Sequence, residues 1–223
     1  MFVSRSMSRK VTTVVRETTV LEAQSLMKNH KIRHLPVVDE NNRLVGMVTD
    51  RDVRSALPYD LTKGAADPRV REKYAYLQVG DIMSTDLLPV SPTHTLQDAL
   101  LLLEKRKVGS LPVVDDENRI VGILSVRDLM RAFINVLGIG QPGTLLCILV
   151  EEKVGQLKKI VDIIAEENIS CGSILVARHW EEGKRAVFPY LLSQNVTRVK
   201  KRLQEIGFTI LDPMDWNIDQ PQP

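Results

Sequence analysis

Residues 32–53 read IRHLPVVDENNRLVGMVTDRDV, and residues 108–129 read VGSLPVVDDENRIVGILSVRDL. The two stretches align without a gap about 76 residues apart, and an internal repeat constrains architecture more tightly than local propensity does. The register extends backwards. Met7-Ser8 falls on Met83-Ser84, Val14 on Val90, Thr19 on Thr95, Ala23 on Ala99 and Leu26 on Leu102. Each copy is therefore about 50 residues long, starting near Val3 and Val79.

Within each copy the hydrophobic period switches in the same places, as a mixed α/β unit requires. In the first, an extended run over 11–15 precedes a helix over 19–30 that carries Val20, Ala23, Leu26 and Met27 at helical spacing. Two apolar runs, 35–38 and 44–48, flank Asp39-Glu40-Asn41-Asn42 and predict a hairpin-like strand pair. Thr49 then opens a helix. The second copy predicts strands over 87–90, 111–114 and 120–124, a helix over 95–105 and another from Ser125. Neither copy alone can bury both faces of so small a sheet, so the two are expected to pack as a pseudo-twofold pair.

LPVVD, then a glycine, two apolar residues and Thr/Ser-x-x-Asp, occurs twice between Val3 and about Phe133. This pattern resembles the tandem CBS-domain, or Bateman, module. The resemblance implies a regulatory protein with no obligatory cofactor, binding AMP, ADP, ATP or S-adenosylmethionine in clefts between the motifs. The tetrads Thr49-Asp50-Arg51-Asp52 and Ser125-Val126-Arg127-Asp128 each stand where a strand gives way to a helix. Unpaired amides and the helix dipole there favour phosphate, with the hydroxyl of Thr49 or Ser125 as a further donor. The carboxylates of Asp52 and Asp128 can accept both hydrogens of a ribose diol. A plain capping box has the same spelling. Duplication beside LPVVD favours the ligand.

The base is expected against the residues before LPVVD and the loop entering the first strand. The first site is then Met7, Arg33, His34, Leu35, Pro36, Thr49, Arg51 and Asp52. The second is Met83, Ser84, Gly109, Ser110, Leu111, Pro112, Ser125, Arg127 and Asp128. They are expected to be unequal: Arg33, with Arg9 and Arg51, suits a polyphosphate, whereas Gly109 and Ser110 leave room for a base or sulfonium ligand.

Residues 1–57 and 79–137 thus form the two motifs, with a linker over 58–78 that includes a short helix over 67–76. Gly138-Ile139-Gly140-Gln141-Pro142-Gly143 satisfies GxGxxG, but Pro142 lies inside it and a strand rather than a helix follows, so 138–143 reads as a hinge. Beyond it, strands over 144–150, 174–177, 186–192 and 209–211 alternate with helices over 156–168 and 196–206. This is the ferredoxin-like order β-α-β-β-α-β. The segment 144–212 resembles an ACT domain, with Gly155 as the candidate ligand turn, although Val154 stands where a proline is common. Pro189 predicts an edge or a bulge. The tail, 213–223, reads as loose, with Trp216 docking it. The whole order resembles the acetoin-utilization accessory proteins of bacteria, which implies regulation; the resemblance to CBS and ACT domains, which usually pair through exposed faces, implies a homodimer, and the regulated partner is not legible.

A formal net charge of +2 and 4% aromatic residues, with no basic stripe, argue against nucleic-acid binding. Cys147 and Cys171 sit in apolar stretches without CxxC spacing and read as buried thiols in a reducing compartment, with no zinc. With no run of ~18 uncharged apolar residues and no signal-like leader, the chain reads as cytoplasmic, without a membrane role. His30, His34, His94 and His179 show no metal-binding spacing, and neither GxSxG nor a Walker loop occurs. No catalytic residue is therefore assigned. An interaction scaffold with empty clefts is the rival expectation, and slow nucleotide hydrolysis at the tetrads a lesser one.

Overall fold

The computed structural model describes residues 1–63, 67–138 and 140–211, and the chain divides into two units, Met1–Met130 and Arg131–Pro223. Part of the expected linker (64–66), Ile139 of the expected hinge and the tail with Trp216 lie outside the described residues.

In the first unit a short helix α1 (Val3–Ser6) precedes α2 (Val20–His30). Helix α2 starts where Thr19 accepts from the Glu22 amide and Glu22 accepts from the Thr19 amide at 2.9 Å, which satisfies donors the first turn leaves open. Its Val20, Ala23 and Met27 form the buried stripe. Strands β1 (His34–Val38) and β2 (Leu44–Thr49) pair antiparallel, and α3 (Asp50–Ala56) follows directly. Next come α4 (Tyr59–Lys63) and α5 (Pro68–Lys73). Leu57 and Leu61 join Val20, Val37 and Val48 in one core, so the expected linker is partly core. The second copy repeats the plan with α6 (Leu96–Arg106), β3 (Ser110–Val114), β4 (Ile120–Ser125) and α7 (Val126–Leu137).

The strands expected over 11–15 and 87–90 shrink to single parallel bridges, Val14 with Val37 and Val90 with Val113. The proline of LPVVD explains this. Val14 donates to Pro36 O and accepts from Val38, but the bond one step earlier would need an N–H on Pro36, which has none. Pro112 ends the second ladder in the same way.

The pseudo-twofold relation is visible in reciprocal bonds. Asn42 Nδ2 donates to Ile120 O at 3.2 Å, and Asn118 Nδ2 donates to Leu44 O at 3.1 Å. The segments leading into the copies cross over: Ser8 exchanges backbone bonds with Ile123 of the second copy, and Ser84 with Met47 of the first. Met7 therefore lies over Gly122 and Met83 over Gly46, where an added Cβ would stand only 2.5 and 2.4 Å from the respective sulfur atoms.

The second unit contains β5 (Thr144–Leu145), β6 (Cys147–Glu151), α8 (Gln156–Glu166), β7 (Cys171–Glu181), β8 (Lys184–Leu191), α9 (Thr197–Glu205) and β9 (Thr209–Leu211). The sheet runs β7-β8-β6-β9, all antiparallel, with β5 in line with β6 against β8. This is the β-α-β-β-α-β arrangement. Ile148, Val150 and Val187 pack with Ile160 and Ile164 of α8 and Val199 and Leu203 of α9. Pro189 sits in a central strand, neither at an edge nor at a register shift against β5 and β6. Pro189 O accepts from the Leu146 amide at 3.1 Å, and the return bond is missing because proline has no N–H, so β5 and β6 separate at Leu146. The two thiols are also not alike. Cys147 is buried, and burial pushes it up to about 11, but Cys171, expected buried, is exposed where it opens β7.

Candidate functional site

Thr49 ends β2 and caps α3. The Asp50 amide, next in the chain, is tied to Arg33 O at 3.0 Å, so the loop before β1 and the start of α3 move as one. Asp52 turns back, and its Oδ2 accepts from Thr49 N at 2.8 Å and from Thr49 Oγ1 at 2.7 Å. In the second tetrad Asp128 Oδ2 accepts from Ser125 N at 2.9 Å and Oγ at 2.6 Å. Both tetrads are thus capping boxes, as are Thr19/Glu22 and Thr95/Asp98, so cap geometry alone marks no site.

Position separates them. Thr49, Asp50, Arg51 and Asp52 line a cavity of about 580 Å³, within the roughly 300–1,000 Å³ of small-molecule sites. In Asp52 the cap occupies Oδ2, and Oδ1 has no hydrogen-bond partner among the described residues. Asp128 is 8% exposed.

The cavity belongs to both copies. Arg33, His34 and Met47 come from the first; Ser84, Asp86, Leu87 and Leu88, then Arg106 through Pro112, come from the second. Arg54 pairs with Asp50 at 2.7 Å and Arg106 with Asp86 at 3.3 Å. Arg33, Arg51 and Lys107 have no ion-pair partner among the described residues, so the lining carries uncompensated positive charge. Ser110 Oγ is buried without a hydrogen-bond partner among the described residues, and such a group gains from a ligand acceptor or donor. Burial, and then the neighbouring Arg33 charge, lower the pKa of His34, against a smaller opposing pull from Asp50 and Asp52.

The expected groupings change accordingly. Arg33, His34, Thr49, Arg51 and Asp52 come together as one lining, but Met7 does not join them; the crossover carries it to Gly122 in the second copy. Leu35 and Pro36 are buried in β1, with Leu35 at 0% exposure in the core, and do not line the cavity. Ser84, Gly109, Ser110, Leu111 and Pro112, assigned to a second site, form the far wall of the first, with Met83 packed beside them on Gly46. The room expected at Gly109 is filled, because a Cβ there would meet His34 Nε2 at 3.0 Å. Ser125, Arg127 and Asp128 do not line this cavity. Arg9 donates to Ser4 O instead.

Asp50, Arg54, Asp86, Leu87, Arg106 and Lys107 were not anticipated as lining. One signal was available, since a glycine inside an apolar strand marks a close approach, and Gly46 and Gly122 each lie under the other copy's leader. In the second unit Gly155, φ 91°, caps α8 without a side-chain bond, and Gln156 Oε1 is buried without a partner among the described residues. Among the described residues no His, Cys, Asp and Glu cluster suits a metal, and no helix is long and apolar enough to cross a membrane.

Comparison with known proteins gives a consistent picture. The CBS domain family model matches residues 3–59 and 79–135. The CBS domain-containing protein YhcV of Bacillus subtilis is 35% identical over 127 residues, covering 57% of this chain and 81% of that protein. Inosine-5'-monophosphate dehydrogenase of Methanocaldococcus jannaschii is 36% identical over 123 residues, 55% of this chain, and the match spans only 22% of that enzyme. Among solved structures, CBSX2 in complex with AMP superposes with a TM-score of 0.50 at 32% identity, over 60% of this chain and 96% of that one. A putative acetoin utilization protein (AcuB) from Vibrio cholerae gives 0.52 at 30% identity, over 63% and 95%.

Proposed function

Since the chain belongs to the CBS-domain family, we propose that it is a regulatory protein whose cavity at the start of α3 binds an adenine nucleotide. The observation that carries this is the convergence, on one 580 Å³ space, of a carboxylate oxygen left over by the cap and three cations without acidic partners among the described residues. Arg33, Arg51 and Lys107 take phosphates, Asp52 Oδ1 takes a ribose hydroxyl, and Leu87, Leu88, Val108 and Leu111 give the base an apolar wall. CBSX2, similar over 60% of this chain, holds AMP. The cation count favours ADP or ATP over uncharged adenosine.

The Thr49 hydroxyl, which meets the Asp52 carboxylate, is spent on the helix cap, so the nucleotide is read as an effector and not as a substrate. Its binding favours whichever packing of the two copies it contacts better, by no more than its difference in affinity for them. The change is passed along α7 to the ferredoxin-like unit, an ACT-like reader with Gly155 at its ligand turn, in a homodimer that signals to a regulated protein. The second tetrad, with Asp128 buried, is the weaker site.

Titration of the full chain with ATP and with adenosine tests this. ATP is expected to bind at least about tenfold tighter, the margin narrowing as salt screens the exposed arginines and being largely lost in Arg51→Ala. Equal affinity for the two would remove the phosphate role. No binding of either would leave a scaffold with an empty cleft.

A further inference from the structure

His34 touches two things at once. Its side chain lines the first cavity, beside Thr49, its partner in the β1–β2 register. On its other side it sits against Gly109, where a Cβ would come within 3.0 Å of Nε2 and 3.1 Å of Cε1. The ring thus fills the volume a side chain would take, and its contact there is with backbone. Gly109 in turn anchors a helix: its carbonyl accepts from the Val126 amide at 3.1 Å, and Val126 is the first residue of α7, between the Ser125 cap and Asp128. The repeat-equivalent of His34 is Ser110, whose side chain is far shorter, so this bridge occurs once rather than twice.

We propose that the His34 ring couples occupancy of the first cavity to the start of α7, so that the second tetrad reads the state of the first site. The coupling rests on the nucleotide reading of that cavity. An anion entering beside Arg33 and Arg51 repositions the imidazole. Gly109 is exposed, but it offers no side chain to yield, and the ring bears directly on its backbone. Its carbonyl carries the movement to the Val126 amide, and with it to the Ser125–Asp128 cap. By linkage the effect is reciprocal between ligands: an occupant of the second tetrad alters affinity at the first by the same factor.

Amide hydrogen exchange on the full chain, in an Asp128→Asn background that disables direct binding at the second tetrad, reads both ends separately. Saturating ATP is expected to slow exchange at residues 49–52 and also to change it at residues 125–129 by at least about fivefold, the lower edge for coupled sites. His34→Ala, which removes part of the lining, is expected to bind ATP more weakly; with ATP raised until exchange at 49–52 is again slowed, the response at 125–129 is expected to be abolished. An unchanged response at 125–129 with His34→Ala, or none there in the parent, overturns the coupling. Silence at 49–52 would instead dismiss the nucleotide, and the bridge is then tested without ligand. Gly109→Ala, which pushes the ring, must alter exchange at 49–52, and His34→Ala added to it must restore the original rate; failure of either overturns the bridge.

Discussion

Asp52 has two oxygens and two tasks. Oδ2 closes the cap on Thr49, and Oδ1 is left without a partner among the described residues in a side chain that lines the cavity, so the capping and the proposed ligand-binding meanings of Thr-x-x-Asp are compatible in one residue. His34 supplies the pH dependence of the site. Its pKa is lowered by burial and by Arg33. Above the ordinary value of 6.5 the ring is neutral whether the chain is folded or unfolded; below it the unfolded chain takes up a proton that the folded site resists. Stability therefore falls as pH drops below about 6.5. A bound polyphosphate opposes this, because nearby negative charge favours imidazolium, so ATP affinity rises as pH falls over the same range. Thermal midpoints and ATP affinities at pH 7.5 and 5.5 check both signs, with His34→Gln as the control for the phosphate's own titration. A variant indistinguishable from the parent at both pH values would remove His34 from the account. The tetrads themselves were legible from the repeat alone. Lys107 and Asp86 were not, because they reach the cavity from the second copy and no local pattern ties them to Thr49.

At the scale of elements, the hairpins, capped helices and the β-α-β-β-α-β order follow the sequence periods closely, because each is set by neighbours within a few residues. Where the periods mislead, the missing information is long-range. The runs 11–15 and 87–90 look like strands, but the proline that would have to extend each ladder lies in LPVVD, about 22 residues away. The exchange of leader segments is equally invisible to local periodicity, although Gly46 and Gly122 hint at it. Their difference yields a prediction. A Cβ on Gly122 meets Met7 Sδ at 2.5 Å and the Ser8 carbonyl oxygen, which is backbone, at 3.3 Å; the three atoms nearest a Cβ on Gly46 all belong to the Met83 side chain. Met83 can swing aside and Ser8 cannot. Gly122→Ala is expected to destabilise the first unit by about 1–3 kcal/mol, and Gly46→Ala by less. Native-state hydrogen exchange of β2 and β4 measures both, and the reverse order would contradict the crossover.

Across the whole molecule the repeat produces two similar backbones with different chemistry. The positions of Asp50 and Arg54, an ion pair at the start of α3, are taken in the second copy by Val126 and Met130, 44% and 59% exposed. The first helix start carries an ion pair, and the second carries two apolar side chains in its place. On the proposed reading, this inequality within a symmetric frame makes the first site the receptor and the second the readout. The sequence carried this inequality in Arg33 and His34 against Gly109 and Ser110. It could not reveal that all four lie near one another, because that proximity is created by the pseudo-twofold packing itself.

Calorimetric titration of the full chain with ATP, for the wild type, Asp52→Asn and Asp128→Asn, tests the central claim most directly. Asp52→Asn should lose at least about tenfold in affinity, since a charge-assisted bond is worth roughly 1.5–3 kcal/mol, with far-ultraviolet circular dichroism unchanged. Asp128→Asn should keep the tight site. Undiminished ATP binding by Asp52→Asn, with the loss appearing in Asp128→Asn instead, would contradict the assignment of the nucleotide to the first cleft.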